Sequence, residues 1–204
     1  MLQLLVMQLF TNRFIKDLIL SFFFLLFIYS ITHNPVVRPT LKPAEGVWRI
    51  EKLQHPLMFG LAGHNYLVLR NANNEIEKEI HGLATDPITN TWKYIGIKDT
   101  DLLKVWEFNG PRDYMAEKTY PGKIVFEGNA EETKKTWSKA LQCKEEINQK
   151  EIYYPPFGFK LKGETENSNS VAYTLLICMG FDSKHIGLIT PGEKKNLLDT
   201  ATSH

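Results

Sequence analysis

The chain has 204 residues, 43% of them hydrophobic, so it can bury one sizeable core but hardly two. Its 24 Lys and Arg residues balance 23 Asp and Glu residues without a basic block, which gives no case for a nucleic-acid partner. Aromatic residues make up 12% of the chain and argue against general disorder. We therefore expect one folded domain with appendages.

Residues 1–33 have the composition of a targeting or anchoring segment. Residues 18–31 carry no charge and follow two cations, Arg13 and Lys16. This uncharged core is shorter than the roughly 20 residues of a spanning helix, which favours a cleaved signal peptide. The poor cleavage site at residues 30–32 favours an uncleaved signal anchor instead, and a buried core helix fits the many aromatic rings less well. The positive-inside rule exports the following residues to the periplasm or the extracellular side, and an anchor would make the membrane a partner.

Residues 34–46 contain three prolines and few large apolar groups, a composition that predicts a semi-rigid linker. The domain predicted after it covers residues 47–190. It opens with five short runs, rich in β-branched and aromatic residues and bounded by turn formers, which predict strands. These runs are residues 47–53, 65–70, 76–82, 101–108 and 123–128.

Two helices are predicted after the strands. The first begins after Asn129, which can cap it with Glu132 at the capping-box position, and apolar residues recur at near-helical spacing up to Ile147. The second covers about residues 169–179 and ends at Gly180. Strands followed by helices predict an α+β domain, with an antiparallel sheet of about five strands, rather than alternating βαβ units.

The segment "GHNYLVLRNANNEIEKEIHG", residues 63–82, predicts a β-hairpin whose turn lies within residues 71–74. It carries His64 on the first strand and His81 on the second. Two histidines near strand ends are often plain polar surface residues. A zinc site is a weaker reading, because the chain offers no clear third ligand at metal spacing. We expect neither a metal ion nor a cofactor.

Two registers of this hairpin are open. If Arg70 pairs with Glu75, His64 stands opposite His81. If the turn has two residues, His81 stands opposite Tyr66 and is a diagonal neighbour of His64. Both registers place the two imidazoles on the same face of the sheet.

The tract "NSNSVAYTLL" raises a question about Ser168, which stands where polar residues give way to an apolar helix. A serine nucleophile needs a base within hydrogen-bond reach, a group that orients the base, and donors for the oxyanion. A helix start can supply the donors. All four residues of the tract from Asn167 to Ser170 are also good helix caps, so Ser168 taken alone is better explained as a cap.

The histidine in "GHNYLVL", a second polar residue on the returning strand in "EIHG", and the later "NSNS" tract together resemble the circularly permuted papain-like superfamily. That superfamily includes relatives of the NlpC-type cell-wall peptidases, the lecithin:retinol acyltransferase family and the permuted desumoylating peptidases. In these families the base comes first, an orienting residue follows, and a nucleophilic cysteine at a helix start comes last. The resemblance implies that His64 is the base, His81 the orienting residue, and Ser168, after Asn167, the nucleophile in place of cysteine.

A serine must lose its proton to the base during the attack, so Ser168 is either a working nucleophile or the relic of an inactive site. The first reading is a membrane-tethered hydrolase or acyltransferase that acts on an amide or ester bond in the cell envelope. Peptidoglycan peptides or lipids are the substrates that the resemblance implies. The second is an inactive ligand-binding or scaffold domain of the same fold.

Catalysis requires the Ser168 hydroxyl to lie within about a hydrogen bond, or one water, of the imidazoles. A position on the opposite side of the sheet would exclude it. Ser170 is a less favoured carrier of the hydroxyl. The aromatic loop of residues 153–159 could wall a substrate groove, although packing is the safer reading. Candidate binding residues are Tyr154, Asn167 and Asn169.

Two further features stay open. Cys143 and Cys178 are the only cysteines, and an exported domain favours a disulfide, but spacing in sequence does not give the distance between their Cα atoms. Residues 191–204 form a polar segment that we expect to be a mobile tail, with local docking of Leu197 and Leu198 as the exception.

Overall fold

The structure is a computed structural model, and it describes residues 17–18, 21–22, 25, 46–57, 62–93, 95–112, 122–160, 162–182 and 186–199. The chain divides into two compact units, residues 1–36 and residues 37–204. In the first unit the described residues are helical and exposed. The rest of the predicted anchor, and the linker up to residue 45, lie outside the described residues. Nowhere in the described ranges is there a helix long and apolar enough to cross a membrane.

In its described residues the second unit is α+β, with a six-stranded antiparallel sheet followed by two α-helices. Five strands coincide with the five predicted runs, and the sixth was missed because two residues are too short to show an alternating pattern. The strands are β1 (Trp48–Leu57), β2 (Ala62–Arg70), β3 (Ile76–Thr85), β4 (Trp92–Lys93), β5 (Leu102–Asn109) and β6 (Gly122–Gly128).

The central strands of the sheet are β1, β2 and β3, with β6 on the outer edge of β1. Ala84 of β3 pairs with both Lys93 of β4 and Leu103 of β5. Since one residue pairs with one partner on each edge, β4 and β5 lie on opposite edges of β3. Ile80 pairs with Leu67 of β2 as well as with β5, so β2 and β4 share one edge of β3.

The first helix, α1 (Ala130–Gln149), begins with the predicted capping box of Asn129 and Glu132. The second helix, α2 (Ser168–Met179), ends as predicted at Gly180, whose φ of 88° lies in the left-handed region. Its cap is Asn167, not Ser168. The Asn167 side chain accepts hydrogen bonds from two backbone N–H groups of the first turn, so Ser168 is the first residue inside the helix and the cap reading of Ser168 is wrong.

Both helices pack against the same side of the sheet, which we call the helix face. Leu67 and Ile80 of the sheet join Trp137 of α1 and Leu175 of α2 in one buried cluster. Gly82 also points to this face, because a Cβ atom there would lie 2.9 Å from the Cα atom of Ser168. Successive side chains of a strand alternate between faces, so the neighbours of Gly82 point to the opposite side, which we call the rear face.

A disulfide joins Cys143 of α1 to Cys178 of α2, with 6.5 Å between their Cα atoms. The chain has two cysteines in all, so neither thiol is free. The bond ties together the two helices that cover the helix face, and it settles the pairing that the sequence left open.

The segment after α2 is packed rather than free. Ile189 accepts a hydrogen bond from the backbone N–H of Gly63, and the backbone N–H of Leu197 donates to the Thr174 hydroxyl at 2.8 Å. Leu197 is 5% exposed and belongs to the main core. The docking of Leu197 is as expected. Residues 191–199, however, are not a loose tail, and the domain extends beyond its predicted end at residue 190.

Candidate functional site

Near the histidines the β2–β3 hairpin has the pairing of the second predicted register, but its turn is not of the two-residue type, because Arg70 pairs with Ile76. Leu67 pairs with Ile80 and Val68 with Glu79, and a bulge follows near the turn. Extending this register places Tyr66 beside His81, and their rings stack with centroids 4.5 Å apart. His64 is therefore a diagonal neighbour of His81 rather than its direct partner.

A chain of hydrogen bonds connects three titratable side chains on the rear face. His64 Nε2 lies 3.1 Å from His81 Nδ1, and His81 Nε2 lies 3.0 Å from Glu79 Oε2. His81 and Glu79 are fully buried, and His64 is 7% exposed. The two imidazoles thus lie together on one face, as expected. Glu79 was missed, although it stands two residues before His81, and this spacing places both side chains on one face.

Arg112 completes this group, which we call the rear-face cluster: His64, His81, Glu79 and Arg112. The backbone N–H of Arg112 donates to Glu79 Oε2 at 3.4 Å. Its guanidinium lies over the rings of Trp92 and Phe108, 4.1 and 4.3 Å from their centroids. Cation–π contacts of this kind stabilise a cation that has little access to water.

Burial governs the protonation of the rear-face cluster. It lowers the pKa of His64 and of His81 well below the usual value, and nearby positive charge acts in the same direction. Burial also raises the pKa of Glu79 to about 7, although the backbone N–H of Arg112 opposes this shift. The two imidazoles are therefore uncharged at neutral pH.

Ser168 lies on the other side of the sheet, beside a cavity of about 340 Å³ at the start of α2. A volume of about 300–1,000 Å³ is usual for small-molecule sites. The described residues that line the cavity are all uncharged. The apolar walls come from Leu57, Ile95, Tyr154, Phe157 and Phe159, and Asn167, Ser168 and Asn169 form a polar floor.

The side chain of Ser168 lies near the phenol of Tyr154 and acts to lower the pKa of that phenol. Burial raises the pKa of Tyr154 to about 12, so the phenol stays protonated at physiological pH and cannot serve as a base. No imidazole is present among the described residues that line the cavity.

The expected approach of Ser168 to His64 and His81 is therefore not found. Ser168 contacts the helix face through Gly82, whereas His81, one residue earlier in the strand, points to the rear face. His64 also points to the rear face, because its imidazole is hydrogen-bonded to that of His81. Sequence spacing could not decide which face of the hairpin α2 would cover, and the Ser/His/His arrangement fails for this reason.

The two predicted binding asparagines hold the cavity together. Asn167 caps α2 through its side-chain oxygen, and its Nδ2 donates to the carbonyl oxygens of Gly158 and Pro191. Asn169 Oδ1 accepts from the backbone N–H of Asn65 at 2.8 Å. The two amides thereby fix the aromatic loop and the C-terminal segment against α2. Ser170, the alternative carrier of the hydroxyl, donates to the backbone carbonyl of Thr165.

Phe157 stands at the tip of the aromatic loop with an unusual backbone conformation. Its φ of 57° lies in the left-handed region, which is costly for a bulky side chain. The side chain is 75% exposed, and its backbone N–H donates to the Gly96 carbonyl at 2.7 Å. Packing, which seemed the safer interpretation of this loop, does not account for an exposed ring in a strained conformation.

The described residues contain no group of three or more His, Cys, Asp or Glu side chains that could hold a metal ion. In comparisons with known proteins, no family model, curated protein or solved structure matches the chain. The similarity to the permuted papain-like superfamily consequently stays a prediction from three short motifs.

Proposed function

We propose that the chain is an exported, non-catalytic binding domain whose cavity at the start of α2 holds a small, mainly apolar ligand. The observation that carries this proposal is Phe157, an exposed aromatic ring held in a strained conformation at the wall of that cavity. Strained residues persist where the surrounding structure holds them, and they concentrate at functional sites.

The chemistry of the cavity supports an apolar ligand. Its described lining is uncharged, and the amides of its floor are mostly engaged with the protein backbone. Ser168 and the remaining N–H of the Asn169 amide are the polar groups available to orient a ligand. Apolar walls with a small number of polar groups are the usual composition of a ligand site.

The same geometry argues against hydrolysis or acyl transfer at Ser168. A serine nucleophile needs a base that accepts its proton, and the described lining around Ser168 offers a protonated phenol, that of Tyr154, but no imidazole. This favours the second of the two functions, a binding domain, over the hydrolase.

Export and membrane tethering remain part of the proposal. The Cys143–Cys178 disulfide supports export, because such bonds persist in oxidising compartments. Tethering rests on the sequence of residues 1–33. The permuted papain-like fold is also proposed: an antiparallel sheet followed by a helix whose capped start packs against β3 is compatible with it.

Replacing Phe157 with glycine is expected to stabilise the domain while weakening ligand binding. Glycine adopts the left-handed region without strain, so the free energy of unfolding should rise by about 1 kcal/mol. Loss of the aromatic wall should weaken binding of an apolar probe, dansylundecanoic acid, by about tenfold. Denaturant unfolding and fluorescence titration of residues 37–204 measure the two effects.

The matched control is Glu151→Gly, because Glu151 also has a positive φ, 50°, and does not line the cavity. It should gain similar stability and keep the affinity of the parent. If Phe157→Gly binds the probe as tightly as the parent, or if the parent does not bind it, the cavity is not a site for apolar ligands.

A further inference from the structure

Exposed apolar side chains surround the mouth of the cavity. Phe157, Phe159 and Ile95 line it and are 75%, 51% and 58% exposed, and Leu57 on the same wall is 41% exposed. Ile189, 70% exposed, lies beside Phe159 on the neighbouring surface. We call these five residues the apolar collar. Single exposed apolar residues are common, but a group around a cavity marks an interaction surface.

Lysines flank the apolar collar on one side. Lys160 and Lys162 follow Phe159 in the chain, and Lys194 and Lys195 line the adjacent surface. The ammonium groups of Lys160 and Lys195 also pair with glutamates, 2.6 and 2.5 Å away, so the cationic character of this side is moderate. Aromatic rings flanked by lysines are typical of surfaces that lie at the membrane–water interface.

A protein partner would require about one hydrogen bond per 100–200 Å² of interface. The collar itself consists of hydrocarbon side chains, and the amides of Asn167 and Asn169 inside the cavity bond mostly within the chain. A lipid surface makes no such demand, because its acyl region offers no hydrogen-bonding groups. The composition of the collar therefore favours lipid over protein.

We propose that the apolar collar docks onto a phospholipid bilayer, so that the cavity opens towards the lipid and takes up an acyl chain. The uptake of an acyl chain rests on the proposed ligand binding; the docking does not, although the tether that favours it belongs to the same proposal. The length of the chain permits docking onto the bilayer, since residues 34–46, even fully extended, span at most about 45 Å after the proposed anchor. A tether of that length keeps the domain close to the surface on which it would dock.

The test uses the full chain in phosphatidylcholine vesicles, with and without phosphatidylglycerol. Both native cysteines form the disulfide, so a single new cysteine can carry an NBD fluorophore. Phe157→Cys reports on the collar, and Phe159→Cys repeats the measurement at a residue with an ordinary extended backbone. Ile88→Cys, at a residue 92% exposed and outside the cavity lining, is the matched control.

NBD at positions 157 and 159 should be at least about threefold more strongly quenched by acyl-chain nitroxide lipids than NBD at position 88. Equal quenching at the three positions would overturn the docking. A different result would be NBD at position 157 that is shielded from water but not quenched by nitroxide lipids, with the shielding lost when the protein is diluted. That result would indicate that a second copy of the chain covers the collar, and it would also overturn the docking. Probe titration of residues 37–204 is independent of vesicles, so failure of the binding function and failure of docking are distinguishable.

Discussion

Replacing Cys143 and Cys178 with serine is expected to lower the free energy of unfolding by about 4 kcal/mol. The disulfide closes a loop with a sequence separation of 35, and the loss of chain entropy in the unfolded state for a loop of that size corresponds to about this value. The bond also joins the two helices that cover the helix face. Denaturant unfolding of residues 37–204 measures the change.

The single variants provide the control for the disulfide. Cys143→Ser and Cys178→Ser each break the same bond, so each should be as unstable as the double variant, and the effects should not add. Reduction of the parent protein should bring it to the same level. A loss smaller than about 1 kcal/mol, or two single effects that sum to the double effect, would show that the bond contributes little.

Glu79→Gln is expected to change how stability depends on pH. The pKa of Glu79 is raised from 4.5 to about 7, so the fold favours the protonated carboxyl. Its contribution is fully present below pH 4.5 and is lost as the pH rises through about 7. Glutamine does not ionise. The variant should therefore gain stability relative to the parent across this range, by about 3 kcal/mol in total at 1.36 kcal/mol per pKa unit.

His64 and His81 affect the free energy of unfolding at acidic pH. Because the pKa values of His64 and His81 are lowered in the fold, their contribution is present above pH 6.5 and is lost as the pH falls below it. The parent should therefore be most stable near pH 6.5. Glu77→Gln is the matched control, since Glu77 lies on the same strand but faces solvent, and it should follow the parent curve. A constant difference between Glu79→Gln and the parent would show that Glu79 ionises freely.

Much of the fold follows from local sequence patterns. Alternating apolar residues located five strands, and the capping box at Asn129 and the glycine at position 180 located helix ends, because these signals depend on near neighbours in the chain. The short strand β4 has no pattern of its own and forms because β3 offers a free edge at Ala84 and Thr85. The docking of Leu197 also depends on distant partners.

The site was predictable only in part. That His64 and His81 share a face follows from hairpin geometry, and Glu79 could have been added by the same alternation. The face that α2 covers depends on long-range packing, with Gly82 admitting the helix start where another residue would clash. Ser168 and the imidazoles were therefore assigned to one site although the sheet lies between them. The exposure of Phe157 was likewise invisible, because positive φ at a non-glycine residue leaves no mark in the sequence.

The most direct test of a binding cavity without a catalytic base is the alkylation of Ser168→Cys by iodoacetamide as a function of pH. The rate should follow the same pH curve with and without His64→Ala, because the imidazole points to the rear face, and dansylundecanoic acid should slow it by filling the cavity. A rise of about one pKa unit on His64→Ala would show that His64 stabilises the thiolate. Such a result, or a rate that the probe leaves unchanged, would contradict the account.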